Sequence, residues 1–155
     1  MPIYVVRFSG ELDGIAKVRP AAGRAWKFGV TCVKCNETLP TPMEVDPGET
    51  VEFQGGTTHA MRSCKVCRNV ITATIVARSE GAFTGGAPAP VIAVDFRAGE
   101  PVSVDFDGPY EAEGSGGSSS SFSFAAFERG DWFDYDENNA CSVSVTQATY
   151  AIDRR

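Results

Sequence analysis

Cys32-Val-Lys-Cys35 and Cys64-Lys-Val-Cys67 repeat one spacing within the first half of the chain. Two intervening residues let one tight turn present both sulfurs of a pair to a single ion. Two such turns supply four thiolates, the full tetrahedral shell of a structural zinc. The 28 residues between the pairs must therefore leave and return to one point, which short strands near 50–54 and 58–63 would do.

Other chemistries for these thiols fit less well. A thioredoxin-like centre needs one CxxC at a helix N-terminus, where the dipole lowers the thiol pKa. Here Pro40, Pro42 and Pro47 follow the first pair and a strand pattern follows the second. Catalytic zinc keeps a position open for water or substrate, and four protein ligands leave none. Thiolates also hold iron, so spacing alone leaves zinc and iron both open. The fifth cysteine, Cys141, has no partner nearby in sequence and reads as a buried free thiol at the start of the last strand.

The balance of charge narrows the partners. Fourteen Lys and Arg against twenty Asp and Glu leave the chain at −6, and four thiolates with one divalent ion take it to about −8. Such a chain repels nucleic acid and anionic membranes. The sequence has no 18-residue apolar run for a membrane span and no secretion signal at Met1–Arg7. A reducing, cytoplasmic location is expected, where paired cysteines hold metal rather than disulfides.

Strand patterns dominate. Ile71, Ala73, Ile75 and Ala77 are apolar with Thr72 and Thr74 between them. Val143 and Val145 are apolar on odd positions, whereas Ala148, Tyr150 and Ile152 follow on even ones. One long strand with a bulge near Thr146-Gln147 accounts for the change of phase. Further strands are expected at 3–8, 12–18, 25–31, 91–98, 101–106 and 121–127. No twelve-residue window carries a helical stripe, and the prolines after Cys35 predict an irregular loop. The expected fold is all-β, mainly antiparallel, with little helix, built as a single compact domain over 1–155.

Within that domain, Gly81–Pro90 reads as a linker between halves 1–80 and 91–155, and Gly114–Ser121 as a mobile surface loop. Val6-Arg7-Phe8-Ser9-Gly10-Glu11 running to Pro20 is echoed by Val94-Asp95-Phe96-Arg97-Ala98-Gly99-Glu100 running to Pro109. The echo reads equally as a duplication and as a chance strand-turn-strand match.

Enzyme signatures are missing: no nucleophile elbow, phosphate-binding glycine loop or HExxH occurs. His59, the single histidine, reads as an ordinary loop or strand residue in a hairpin before the second cysteine pair. Asp131-Trp132-Phe133-Asp134-Tyr135-Asp136-Glu137 mixes three aromatics with four acids. It reads either as a docking surface for a basic partner or as a loop that Trp132 and Tyr135 pin to the sheet.

Taken together, Arg19-Pro20, Trp26, the two cysteine pairs with Gly55-Gly56 and Arg68-Asn69, Phe96-Arg97-Ala98-Gly99-Glu100-Pro101, Glu113-Gly114 and Trp132–Glu137 resemble the eukaryotic CXXC-motif-containing zinc-binding proteins, a family of unknown molecular function. The resemblance implies two pseudo-symmetric β halves, with one Zn²⁺ on Cys32, Cys35, Cys64 and Cys67 in the first half only. It also implies a soluble cytoplasmic protein with no assigned enzymatic activity. The Gly/Ser run at 114–121 departs from the family pattern, and Cys141 is outside it. The resulting expectation is a monomeric, non-enzymatic protein-interaction module with a structural zinc. A zinc- or copper-handling protein and a CxxC thiol-redox protein are the alternatives.

Overall fold

The computed structural model describes residues 2–155 and contains no α-helix among them. Its fourteen strands are β1 (Ile3–Asp13), β2 (Ile15–Pro20), β3 (Trp26–Cys32), β4 (Met43–Val45), β5 (Val51–Phe53), β6 (Gly56–Thr58), β7 (Ala60–Ser63), β8 (Val70–Ile75), β9 (Ala89–Arg97), β10 (Gly99–Val104), β11 (Asp107–Gly114), β12 (Ser121–Ala126), β13 (Trp132–Asp136) and β14 (Cys141–Arg154). All named pairings are antiparallel. No helix is long and apolar enough to cross a membrane among the described residues.

A six-stranded sheet runs in the order β13-β14-β1-β9-β8-β7. Two three-stranded sheets, β10-β3-β4 and β12-β11-β2, and the β5-β6 hairpin complete the fold. The pairing order is unchanged when β1, β2, β3, β4, β7 and β8 are exchanged with β9, β10, β11, β12, β13 and β14; the β5-β6 hairpin has no counterpart. Each small sheet takes a strand from the other half, since β2 lies beside β11 and β10 beside β3. The halves are therefore interlocked. The sequence echo does not coincide with this correspondence: Gly10-Glu11 lies inside β1, whereas Gly99-Glu100 opens β10.

Strand alternation decides what is inside. In β3 every second residue, Trp26, Phe28, Val30 and Cys32, is buried, so the phase that fills the core also turns Cys32 inward. Phe28 meets Phe96 of β9 edge to face at 5.3 Å, and Phe8 of β1 meets Phe83 at 5.5 Å. Each fully buried phenyl ring contributes about 1.5–3 kcal/mol over an exposed one.

The expected bulge is present. Ser9 faces Thr149 and Glu11 faces Thr146, so Gln147 and Ala148 oppose Gly10 alone. Gln147 takes a left-handed φ of 55°. The extra residue moves the buried set from Val143 and Val145 to Ala148. At the β1–β2 corner Gly14 has φ 70°, and a Cβ there would come within 2.8 Å of Val143 Cγ1.

Three segments differ from expectation. The proline-flanked stretch after Cys35 is not wholly irregular: Met43–Val45 forms β4 against Trp26–Phe28, with Met43 and Val45 buried. Asp107–Gly114 is a full strand, although only Tyr110 and Ala112 of it are buried, too few to show a period. Gly81–Pro90 does not run as a free tether. Phe83 is completely buried and its backbone exchanges hydrogen bonds with Val18, while Ala89 and Pro90 already belong to β9.

Candidate metal centre

The two cysteine pairs sit on matching turns. Cys32 ends β3 and Cys64 follows β7 directly. In the first turn the Asn36 amide donates to Cys32 O at 2.9 Å and the Cys32 amide to Glu37 O at 2.9 Å. In the second, Arg68 N donates to Cys64 O at 2.9 Å and Cys64 N to Asn69 O at 2.8 Å. Asn36 and Arg68, each just past the second cysteine, take left-handed φ values of 63° and 65°. These reversals turn both sulfurs of each pair to one side.

The result is a compact set. All four Sγ atoms lie within 4.8 Å of one another, with Cys32–Cys67 and Cys35–Cys64 at 3.6 Å. Four thiolates bound tetrahedrally to zinc at about 2.3 Å stand about 3.8 Å apart, so the donor set fits zinc in both chemistry and spacing. The close pairs run between the turns, and 3.6 Å is far beyond a disulfide bond.

Cys32 and Cys64 are buried and Cys35 and Cys67 are half-buried. Asn69 Nδ2 donates to Cys32 Sγ at 3.5 Å and to Ala98 O at 3.1 Å, tying the cluster to the β9–β10 corner. Burial opposes ionisation of Cys32, yet donors from Asn69 and from the Cys35 and Lys34 backbones outweigh it and lower its pKa to about 6. Backbone donors at Cys67 and Val66 lower that of Cys64 against its burial. Cys35 is pushed up to about 12: the Glu37 backbone donor favours its thiolate, but burial and the three neighbouring sulfurs oppose it more strongly. A cation among the sulfurs removes that opposition, because metal binding displaces the thiol protons.

The other candidate residues lie elsewhere. His59 falls between β6 and β7, and its Nδ1 accepts from Ile75 N at 2.9 Å. Cys141 opens β14, half-buried against the core. In the acidic-aromatic run Trp132 is half-buried and stacks on Phe124 at 4.2 Å, whereas Phe133 is 68% and Tyr135 51% exposed. The run is a strand, not a loop. Trp132 pins it, and Tyr135 does not. Asn69 was not picked out from sequence as a cluster donor, since nothing in an Asn two residues past a cysteine distinguishes a sulfur donor from a turn residue.

The loops that occupy the corresponding places in the second half are joined by hydrogen bonds. Ala140, after Asp136-Glu-Asn-Asn139, has φ 52°, as Arg68 does after Cys64-Lys-Val-Cys67. Buried Asp136 accepts from Ser120 Oγ at 2.6 Å and from Asn139 Nδ2 at 2.8 Å. Ser118 N donates to Asn139 Oδ1 at 2.9 Å, and Asn138 Nδ2 to Ser119 O at 2.9 Å. The donors Ser120 and Asn139 lower the Asp136 pKa against its burial. The Gly/Ser run is thus stitched to the β13–β14 turn through Asp136, Asn138 and Asn139.

An all-β chain with a four-cysteine cluster on paired turns has the donor set of a tetrathiolate metal site. The chain belongs to the family described as CXXC motif containing zinc binding protein, eukaryotic, whose profile it matches over residues 5–153. It is 27% identical over 159 residues to UPF0587 protein C2D10.03c of Schizosaccharomyces pombe, covering 97% of this chain and 98% of that protein. Its fold is that of the crystal structure of C1orf123, with a TM-score of 0.91, 21% identity and 99% of both chains covered. A hypothetical protein from Plasmodium falciparum has the same fold, with a TM-score of 0.86 at 15% identity over 99% of this chain and 100% of that one.

Proposed function

We propose that this is a non-catalytic protein-interaction module, a cytoplasmic monomer whose single Zn²⁺ is structural. The observation that carries the metal's role is the cluster itself: four sulfurs within 4.8 Å of one another complete a tetrahedral shell and leave no coordination position for a substrate. The matched pairing order supports reading residues 1–80 and 91–155 as two copies of one β unit, with metal in the first.

The interaction surface in this reading is the outer edge of β13. That strand pairs only with β14 in its sheet. It exposes Phe133, Asp134 and Tyr135, with exposed Glu128 and Glu137 and half-buried Asp131 around it. A free edge pairs with an added strand, exposed aromatics anchor it, and acids select a basic one. The partner is therefore a basic extended segment of another protein. Pull-downs from cell extract with wild type and Phe133→Ser/Tyr135→Ser protein test this; identical recovery of partners would rule the edge out.

One observation favours zinc or copper handling as a second reading. Cys35 and Cys67 are half-buried, and the turn tips carry exposed Val33, Lys34, Lys65 and Val66. A chelator separates the two roles. Structural zinc leaves only as the protein unfolds, whereas a carrier gives it up while the near-UV circular dichroism stays native. A thiol-redox role has less support, since the close sulfur pairs cross between turns and no helix dipole activates either one.

A further inference from the structure

Arg24, in the β2–β3 loop, is the one buried arginine among the described residues, at 6% exposure. Its Nε donates to Ala25 O at 3.2 Å, and its buried Nη1 has no acceptor from the protein. No carboxylate approaches it within salt-bridge range among the described residues. Its Cζ lies 4.0 Å over the Trp26 ring and 5.1 Å from that of Tyr110. Aromatic faces attract a cation but offset only part of the cost of burying it. The nearby tyrosines do not supply the missing charge. Burial raises the pKa of Tyr110, and burial together with Tyr110 raises that of Tyr150, against the charge and hydrogen bonding of Arg24, which lower both, so both stay neutral.

Arg24 lines a cavity of about 180 Å³ with Trp26, Pro47, His59, Ile75 and Ile92. At about 30 Å³ per water molecule, that space holds only a handful of non-hydrogen atoms. His59 Nδ1 is taken by the Ile75 amide at 2.9 Å, which puts the ring's proton on Nε2 as a donor. The rim carries one further cation, Arg78, and one carboxylate, Glu80. Glu80 Oε2 accepts from Gly23 N at 3.0 Å, and the side chain is not paired with Arg24.

We propose that this cavity binds the carboxylate of a ligand with a short aliphatic body. Arg24 and His59 Nε2–H hold the carboxylate, and Trp26, Pro47, Ile75 and Ile92 enclose the aliphatic part. A buried guanidinium and apolar walls with few polar groups match that chemistry. A dianion such as sulfate fits worse, because Glu80 offsets Arg78 at the rim and leaves the second charge without a partner. The carboxylate belongs either to a free acid or to the C-terminus of a peptide, which presents the same group.

The chain has two tryptophans. Trp26 lines the cavity, whereas Trp132 packs on Phe124, so their indole N–H signals give a built-in control by NMR. Zinc-loaded protein is titrated with sodium isobutyrate, with isobutyramide, with sodium sulfate, and with a short peptide ending in valine as free acid or amide. The expected result is a saturable shift of Trp26 and not Trp132 with isobutyrate or the free-acid peptide, at a Kd on the order of 1 mM. Binding by isobutyrate alone assigns a small acid, and binding by the peptide alone assigns a chain terminus. Arg24→Gln should weaken binding at least tenfold. Should that variant not fold, Ala77→Trp, at an exposed position on the rim, should block it in a folded protein. The proposal is overturned by no saturable shift with either carboxylate, by equal binding of isobutyramide or sulfate, or by undiminished binding to Ala77→Trp.

Discussion

On the proposed structural role of the ion, Cys64→Ala opens the clamp, and the chain it closes sets the size of the effect. From Cys32 to Cys67 the cross-linked loop spans 36 residues counted inclusively. Closing a loop of that length removes about 4 kcal/mol of chain entropy from the unfolded state at 25 °C. This is a floor, because zinc binding by short peptides is worth about 10–16 kcal/mol at neutral pH. With about 2.1 cal/mol/K of unfolding entropy per residue, 4 kcal/mol lowers the Tm of a domain this size by about 12 °C. Calorimetry of zinc-loaded wild type and Cys64→Ala measures the shift. Hydrogen exchange should locate it, with protection falling across residues 33–69 before β1 and β9, the centre of the large sheet. A melting curve unchanged by Cys64→Ala would refute the clamp. A lower Tm with uniform loss of protection would refute the local loosening.

Three further outcomes are expected. Phe28→Ala removes a fully buried ring packed on Phe96 and should cost about 3–5 kcal/mol, read by urea denaturation with zinc present. Because the Asp136 pKa is lowered in the fold, its contribution is present above the ordinary aspartate value near 3.9 and is lost as pH falls through the lower folded value. Stability measured from pH 6 down to pH 2 should therefore fall more steeply in wild type than in Asp136→Asn. Phe133→Ser/Tyr135→Ser should leave the urea midpoint within what about 0.5 kcal/mol produces, since both side chains are exposed.

Much of the site was legible because CxxC is a local device. The turn that gathers two sulfurs is made within six residues, so its spacing shows in the chain. The strands of the core were legible where apolar residues alternate, as at Ile71, Ala73 and Ile75, although Thr72 between them is buried too. The bulge was legible because an inserted residue shifts the period of a long strand. Legibility failed where few side chains are buried, as in β11, or where prolines flank a short edge strand, as in β4. Arg24 left no signal, since one arginine in Ala-Ala-Gly-Arg-Ala reads as a solvated loop until the Trp26 and Tyr110 rings are placed around it.

The sequence by itself determined the four clustered cysteines, the β class and the acidic balance, because these depend on residue identity and short spacing. Only the tertiary structure decided how the pieces interlock. Strand exchange between halves, the Phe83 anchor and the Asp136 knot join residues far apart in sequence. Pairing partners at such separations are chosen by which faces bury together, and no local pattern records that choice. The same is true of the cavity beside Arg24, whose walls come from five separate segments of the chain.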